Sequence, residues 1–238
     1  MPEISVVHAA GVPVWRVGRA PDPWAWIDRR YAGDQRWDDP DGLFRTIYVA
    51  DSLFACFVEI LAHLRPDRPA GQDLLDGIVE DPEDAAEYPS PPAGEVDPLW
   101  IQGKMRARAI LDGPYADVRA SSTIAALRPE FLALALSLGF EDFDAAAIKS
   151  AFPRELTQQL AAHLYTQLTD DGTALVDGVR FASRHGDELI MWALFERPGD
   201  DPSSRHLTDT TSELVSLDDP ALLEAMALHG LHLAELAG

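Results

Sequence analysis

Between Thr46 and Leu64 the chain passes without a break from strand to helix, and this passage constrains the fold more than any other stretch. Thr46-Ile-Tyr-Val-Ala50 is a short β-branched and aromatic run that reads as a buried strand. Ser52 to Leu64 follows as an apolar segment that reads as a helix, so sheet and helix must share one core. That helix holds a single carboxylate, Glu59, with apolar neighbours on both sides. Ionised carboxylates are rarely placed in an apolar run unless they have a partner or a task. An arginine, Arg36, and a tyrosine, Tyr48, lie just upstream. A second segment, Asp177 to Gly186, brings Ser183 to the end of another strand.

The chain has 238 residues, 47% hydrophobic and 25% charged, enough for a full core, and it is expected to form one domain over 1–238. Forty acidic against 19 basic residues give a net charge of −21. Such a balance excludes a broad nucleic-acid footprint and electrostatic docking to anionic lipid, since both need a basic face. The basic residues are nearly all arginine, Lys104 and Lys149 being the only lysines. Arginine keeps its charge when buried and grips phosphates and carboxylates with two N–H groups. An acidic protein with an anionic ligand would have to gather arginines at the site, and Arg16, Arg29, Arg30, Arg36 and Arg45 do cluster early. The one cysteine, Cys56, permits no internal disulfide and no cysteine metal cluster, and its apolar surroundings mark a buried small hydrophobe. The N-terminus lacks the order of a signal peptide and no apolar run reaches spanning length, so a cytoplasmic protein is expected.

Along the chain, Val12 to Val17 reads as a first strand, and residues 18–45, rich in Pro, Gly, Asp, Trp and Arg, as a long irregular binding loop. Residues 65–98 read as an acidic, proline-rich surface insertion with a short helix near Gly71 to Leu75. Trp100-Ile101 and Arg106 to Leu111 read as strand material. Ser121 or Ser122 is the expected cap of the next helix, Pro129 the first turn of a further one, and Gly139 its stop. Phe143 to Ala151 reads as a short helix. Pro153 to Leu168 reads as an amphipathic one, with Leu156, Leu160, Leu164 and Leu168 four residues apart. Val179 to Ala182 and Glu188 to Glu196 read as strands joined at His185-Gly186-Asp187, followed by a polar stretch, Pro198 to Thr211. A C-terminal extension, 212–238, closes with a helix capped by Asp219, with Pro220 in its first turn and Leu222, Leu223, Met226, Leu231 and Leu233 as its apolar residues.

Glycine-rich phosphate loops of the Rossmann or Walker type are absent. The histidines have no metal-ligand spacing; His229 and His232 lack a third ligand, so no metal is expected. Ser183 is outside any Gly-x-Ser-x-Gly elbow. On residue type alone, Arg36 and Glu59 would form a structural salt bridge, Tyr48 would be core, and Ser183 and His185 would be turn residues.

Taken in order, Gln35-Arg36-Trp37-Asp38, Thr46 to Ser52, Phe57-Val-Glu59 and Phe181-Ala-Ser183-Arg184 resemble the RES-domain family, named for its arginine, glutamate and serine. The resemblance runs from about Trp15 to Arg197, with a core of about 12–197. Gln35 stands where glycine is common in the family, and Asp38 where many members have asparagine. The resemblance implies an ADP-ribosyltransferase-like α+β domain with a split, mostly antiparallel sheet and surrounding helices. It also implies degradation of NAD at the nicotinamide–ribose bond, by phosphorolysis or hydrolysis, as the toxin of a toxin–antitoxin pair. Carried over residue by residue, Glu59, Arg36, Ser183 and Tyr48 would be catalytic, and Arg36, Tyr48, Ser183 and Arg16 would hold NAD. Glu59 would stabilise positive charge on the ribose. Arg36 and Arg16 would grip pyrophosphate or incoming phosphate. Tyr48 would offer a ring and a hydroxyl, and Ser183 a hydrogen bond to the nicotinamide amide or a ribose hydroxyl. No cofactor is implied beyond NAD as substrate and inorganic phosphate as co-substrate. The implied partners are an antitoxin over the pocket and a second copy of the chain. The rival readings are ADP-ribosyl transfer to a protein or nucleic acid, and a RES-like domain that binds NAD or a partner without turnover.

Overall fold

The computed structural model describes residues 3–66, 94–200 and 202–234. The short helix expected near residues 71–75 and most of the 65–98 insertion lie outside them. The fold is α+β, a mixed barrel-like sheet with helices packed on it. Its strands are β1 (Val6–Arg19), β2 (Thr46–Ala50), β4 (Lys104–Asp117), β5 (Gly178–Ser183), β6 (Gly186–Phe195) and β7 (Leu207–Leu214), with a small separate pair of β3 (Glu95–Val96) and β8 (His232–Leu233). The strand order is β1-β2-β6-β5-β4-β7, and β1 also pairs with β4, which closes the ring. All pairings in this sheet are antiparallel except β4–β5. The ring has two narrow seams. β1 and β2 meet only at Trp15↔Ala50, and β4 and β5 only at Ala116↔Val179 and Asp117↔Arg180. Longer ladders hold β7-β4-β1 on one side and β2-β6-β5 on the other.

The two-residue period of β2 explains why it reads as a continuous apolar run. Ile47 and Val49 enter one core with Val14, Leu111, Tyr115, Trp192 and Leu194. Ala50 enters, and Tyr48 packs against, the opposite core with Trp37, Phe57, Phe181 and Phe195. A strand covered on both faces needs no polar side. From β2 the chain enters α1 (Leu53–Leu61), capped by Ser52, whose hydroxyl accepts the Ala55 N–H at 3.2 Å.

The remaining helices are α2 (Pro98–Gln102), α3 (Ser121–Ser137), α4 (Ala145–Lys149), α5 (Glu155–Thr166) and α6 (Pro220–His229). Several differ from expectation. Trp100-Ile101 is helical, because Asp97 accepts the Leu99 N–H at 2.8 Å and Pro98 fills the first turn. α3 is one helix through Pro129. It forgoes one backbone bond there but buries Leu127, Phe131 and Ala135 along one face. Neither Ser121 nor Ser122 caps it, the cap position being Ala120. The polar stretch ends in strand β7, and Leu231 and Leu233 lie beyond α6, which stops at a left-handed Gly230 with φ of 67°. No helix among the described residues is long and apolar enough to cross a membrane.

Candidate active site

A cavity of about 590 Å³ opens where β1, β2, α1 and the loop before β2 converge. Four of the residues singled out in the sequence share its wall: Arg16 from β1, Arg36 from the loop, Tyr48 from β2 and Glu59 from α1. The helical period puts Cys56, Glu59, Ile60 and His63 on this one face, at spacings of three and four. Among the described residues the Glu59 carboxylate has no hydrogen bond and no ion pair.

The loop carrying Arg36 is irregular but firmly held. Asp38, itself buried, accepts the N–H groups of Gly33 at 3.1 Å and Gln35 at 3.0 Å through one carboxylate oxygen. Its other oxygen accepts the Tyr48 hydroxyl at 3.1 Å, and that hydroxyl accepts the Trp37 N–H at 2.9 Å. Gln158 on α5 donates to the carbonyls of Gly33 at 2.7 Å and Gln35 at 3.1 Å. Trp37 is fully buried, 5.5 Å from the Phe181 ring. The Tyr48 hydroxyl is thus spent on the loop, while the residue still lines the cavity. Burial, and then the Asp38 charge, push its pKa well above the ordinary phenol value, so it stays neutral.

Arg36 donates from Nη2 to the Ile148 carbonyl at 2.7 Å and lies 5.5 Å from the Phe181 ring centre. Arg16 donates from Nη1 to the Tyr48 carbonyl at 3.3 Å. Each has a buried Nε without a hydrogen-bond partner, and neither is ion-paired among the described residues. Burial lowers the pKa of both guanidinium groups, and for Arg36 the Glu59 charge opposes this, while Arg184 and Arg154 reinforce it. Arginine nonetheless stays charged. Cys56 is buried, gives its S–H to the Trp15 carbonyl at 3.2 Å, and is pushed up to about 12 by burial, which leaves no thiolate.

Ser183 is not on this wall. It is wholly buried at the end of β5, where its hydroxyl accepts the His185 N–H at 2.9 Å and fixes the β5–β6 turn. Phe181, two residues earlier, reaches the cavity instead. Arg19, Gln35, His63 and Trp100, to which the sequence assigned no role, also line the wall. For His63 the signal was available in its seven-residue spacing from Cys56; for Trp100 it was hidden by the strand assignment.

On the far side, His229 of α6 locks α1 in place. Its Nε2–H meets the Val58 carbonyl at 2.8 Å and its Nδ1 accepts Arg65 Nε at 2.8 Å, so the ring is neutral, in keeping with a pKa lowered first by burial.

The class of protein so defined is a barrel-like α+β domain with two buried arginines and a helix-borne carboxylate lining one cavity. The family model of the RES domain matches residues 13–215. The chain belongs to the RES-domain family, which is associated with action on NAD. No curated protein and no solved structure matches the chain.

Proposed function

We propose that this protein degrades NAD at the bond between nicotinamide and ribose, with phosphate or water as acceptor. The observation that carries this reading is the pair of unpaired cavity arginines. Arg16 and Arg36 find carbonyls but, among the described residues, no carboxylate. Buried charges normally have partners, and a diphosphate supplies one. The barrel with two narrow seams also supports the ADP-ribosyltransferase-like split sheet that the family resemblance implies.

In the reaction the C1′–N bond breaks, its electron pair leaves with nicotinamide, and an acceptor oxygen bonds C1′ from the opposite face. Positive charge builds on the ribose, where the Glu59 carboxylate stabilises it and orients the ribose hydroxyls or the acceptor. When water is the acceptor, its proton passes to Glu59 or to solvent. Arg36 and Arg16 hold the diphosphate. Tyr48 presents its ring to the cavity and, through Trp37 and Asp38, holds the Arg36 loop. Ser183 acts by shaping the turn beside Phe181.

The test is incubation of the purified protein with NAD, with and without phosphate, followed by chromatography. Nicotinamide released only with phosphate identifies a phosphorylase; release in both identifies a glycohydrolase. Mass added to a protein or nucleic acid supports transfer instead, and NAD bound without product supports a binding module. Glu59→Gln should lower turnover about 100-fold or more while leaving NAD affinity and the fold intact; full activity in that variant removes the mechanism. The toxin role, with an antitoxin covering the cavity and a homodimer as the assembly, predicts growth arrest on expression that a neighbouring gene product relieves.

A further inference from the structure

A second cavity, of about 310 Å³, lies behind the first, and the two share Arg36 and Phe181 as a common wall. Its chemistry differs. Val118, Ile148 and Phe181 give it an apolar lining, and its one carboxylate, Asp187, is ion-paired to Lys149, unlike Glu59. Apart from Arg36, its charged side chains are already paired. Lys149 pairs with Asp187, and Arg119 with Asp117 at 3.0 Å. An inorganic anion would have to break these pairs to bind there, whereas a flat heteroaromatic ring would lie between apolar walls and leave them intact. The Asp187 carboxylate, mostly exposed at the rim, can accept from an exocyclic amine. Arg36 stands at the crossing with a buried Nε that has no partner, and Arg184 and Arg154 are close enough to add positive potential there.

We propose that this second cavity receives the adenosine end of the dinucleotide, the purine resting on Phe181 and Ile148, with the diphosphate crossing between the cavities at Arg36. The inference rests on the NAD reading for the identity of the whole ligand, but the purine site stands or falls by itself. It makes Phe181 a specificity-determining residue on both sides and gives Lys149 and Asp187 a place at the base edge. Ligands with only the nicotinamide half would then lack half of their contacts.

The experiment is calorimetric titration of the wild-type protein with AMP, with nicotinamide mononucleotide and with inorganic phosphate, and of Ala145→Trp with AMP. Ala145 lies exposed at the start of α4 and lines only the second cavity, so the larger ring fills that cavity without entering the core. The expected result is that adenosine, titrated in place of AMP, binds together with nicotinamide mononucleotide without competing, and that Ala145→Trp weakens AMP about tenfold or more at unchanged circular dichroism. AMP that fails to bind the wild type or is matched in affinity by inorganic phosphate, or adenosine that competes with nicotinamide mononucleotide, overturns the proposal. AMP binding indifferent to Ala145→Trp overturns it as well. If nicotinamide mononucleotide fails to bind while AMP still binds and still depends on Ala145, the NAD-cleavage reading loses support and the purine site is upheld.

Discussion

Replacing Tyr48 by Phe removes one oxygen from a wholly described network, and its effect can be worked out in advance. The hydroxyl accepts the Trp37 N–H at 2.9 Å and donates to Asp38 at 3.1 Å. Trp37 is fully buried, so in the variant its backbone N–H is orphaned where water cannot reach it. A buried donor without an acceptor costs about 1–3 kcal/mol. Asp38 keeps its bonds from Gly33 and Gln35, so its loss is the smaller part. The sum is about 2–3 kcal/mol, which for a chain of this size lowers Tm by about 4–12 °C. The same loss frees the loop that carries Arg36, so kcat/KM for NAD should fall together with stability. The assay is a thermal melt beside an NAD-cleavage rate at a temperature well below both transitions. A melting point unchanged within about 1 °C, with activity lost, would refute the reasoning, because the hydroxyl would then serve substrate and not the loop.

Three further outcomes are expected. Burial holds His229 below the ordinary imidazole value, so at pH below about 6.5 the unfolded chain takes up a proton that the folded chain refuses. Stability should therefore fall as pH drops from there toward the depressed folded value, and His229→Gln should flatten that slope in melts taken between about pH 7 and 5. Cys56, buried and without thiolate, should not react with a thiol reagent in the native protein and should titrate fully in denaturant; rapid native labelling would show that the cavity floor opens. Arg16→Met should raise or preserve Tm while weakening NAD binding about tenfold or more, since it removes a desolvated charge that forms no ion pair among the described residues. A large loss of stability would mean that the charge is satisfied by the fold itself.

What the sequence discloses depends on whether a residue's job repeats with a period. β2 and α1 were legible because an apolar run and a helical stripe are visible without tertiary knowledge. The α6 cap was read from Asp219-Pro220, yet the same pair at Asp97-Pro98 was passed over because Trp100-Ile101 looked strand-like. β7 could not be seen, since Thr208 to Leu214 are exposed and the strand is held by its backbone pairing with β4. Arg16, Arg36, Tyr48 and Glu59 were singled out through the family resemblance, residue type alone pointing to a salt bridge and a core tyrosine, and they share one cavity. What spacing could not tell is where each side chain spends its atoms. The Tyr48 hydroxyl is taken up by the Trp37 N–H and the Asp38 carboxylate upstream, and the Ser183 hydroxyl by the His185 N–H just beyond it, and neither bond leaves a mark in residue spacing.

The relation of Arg36 to Glu59 shows why the cavity is poised and not merely lined. Opposite charges on adjoining elements would ordinarily close into a salt bridge, and several other arginines of this chain do so: Arg45 with Glu196, Arg106 with Asp219, Arg180 with Asp117, Arg205 with Asp200. Arg36 and Glu59 attract each other yet form no ion pair. The Ile148 carbonyl and the Trp37–Tyr48–Asp38 network hold Arg36 on its own side, and α1, fastened by His229, holds Glu59 on the other. Closing the pair would neutralise both groups and fill the space between them. On the proposed NAD-cleavage reading, holding them apart keeps a cation for the diphosphate and an anion for the developing positive charge in one cavity.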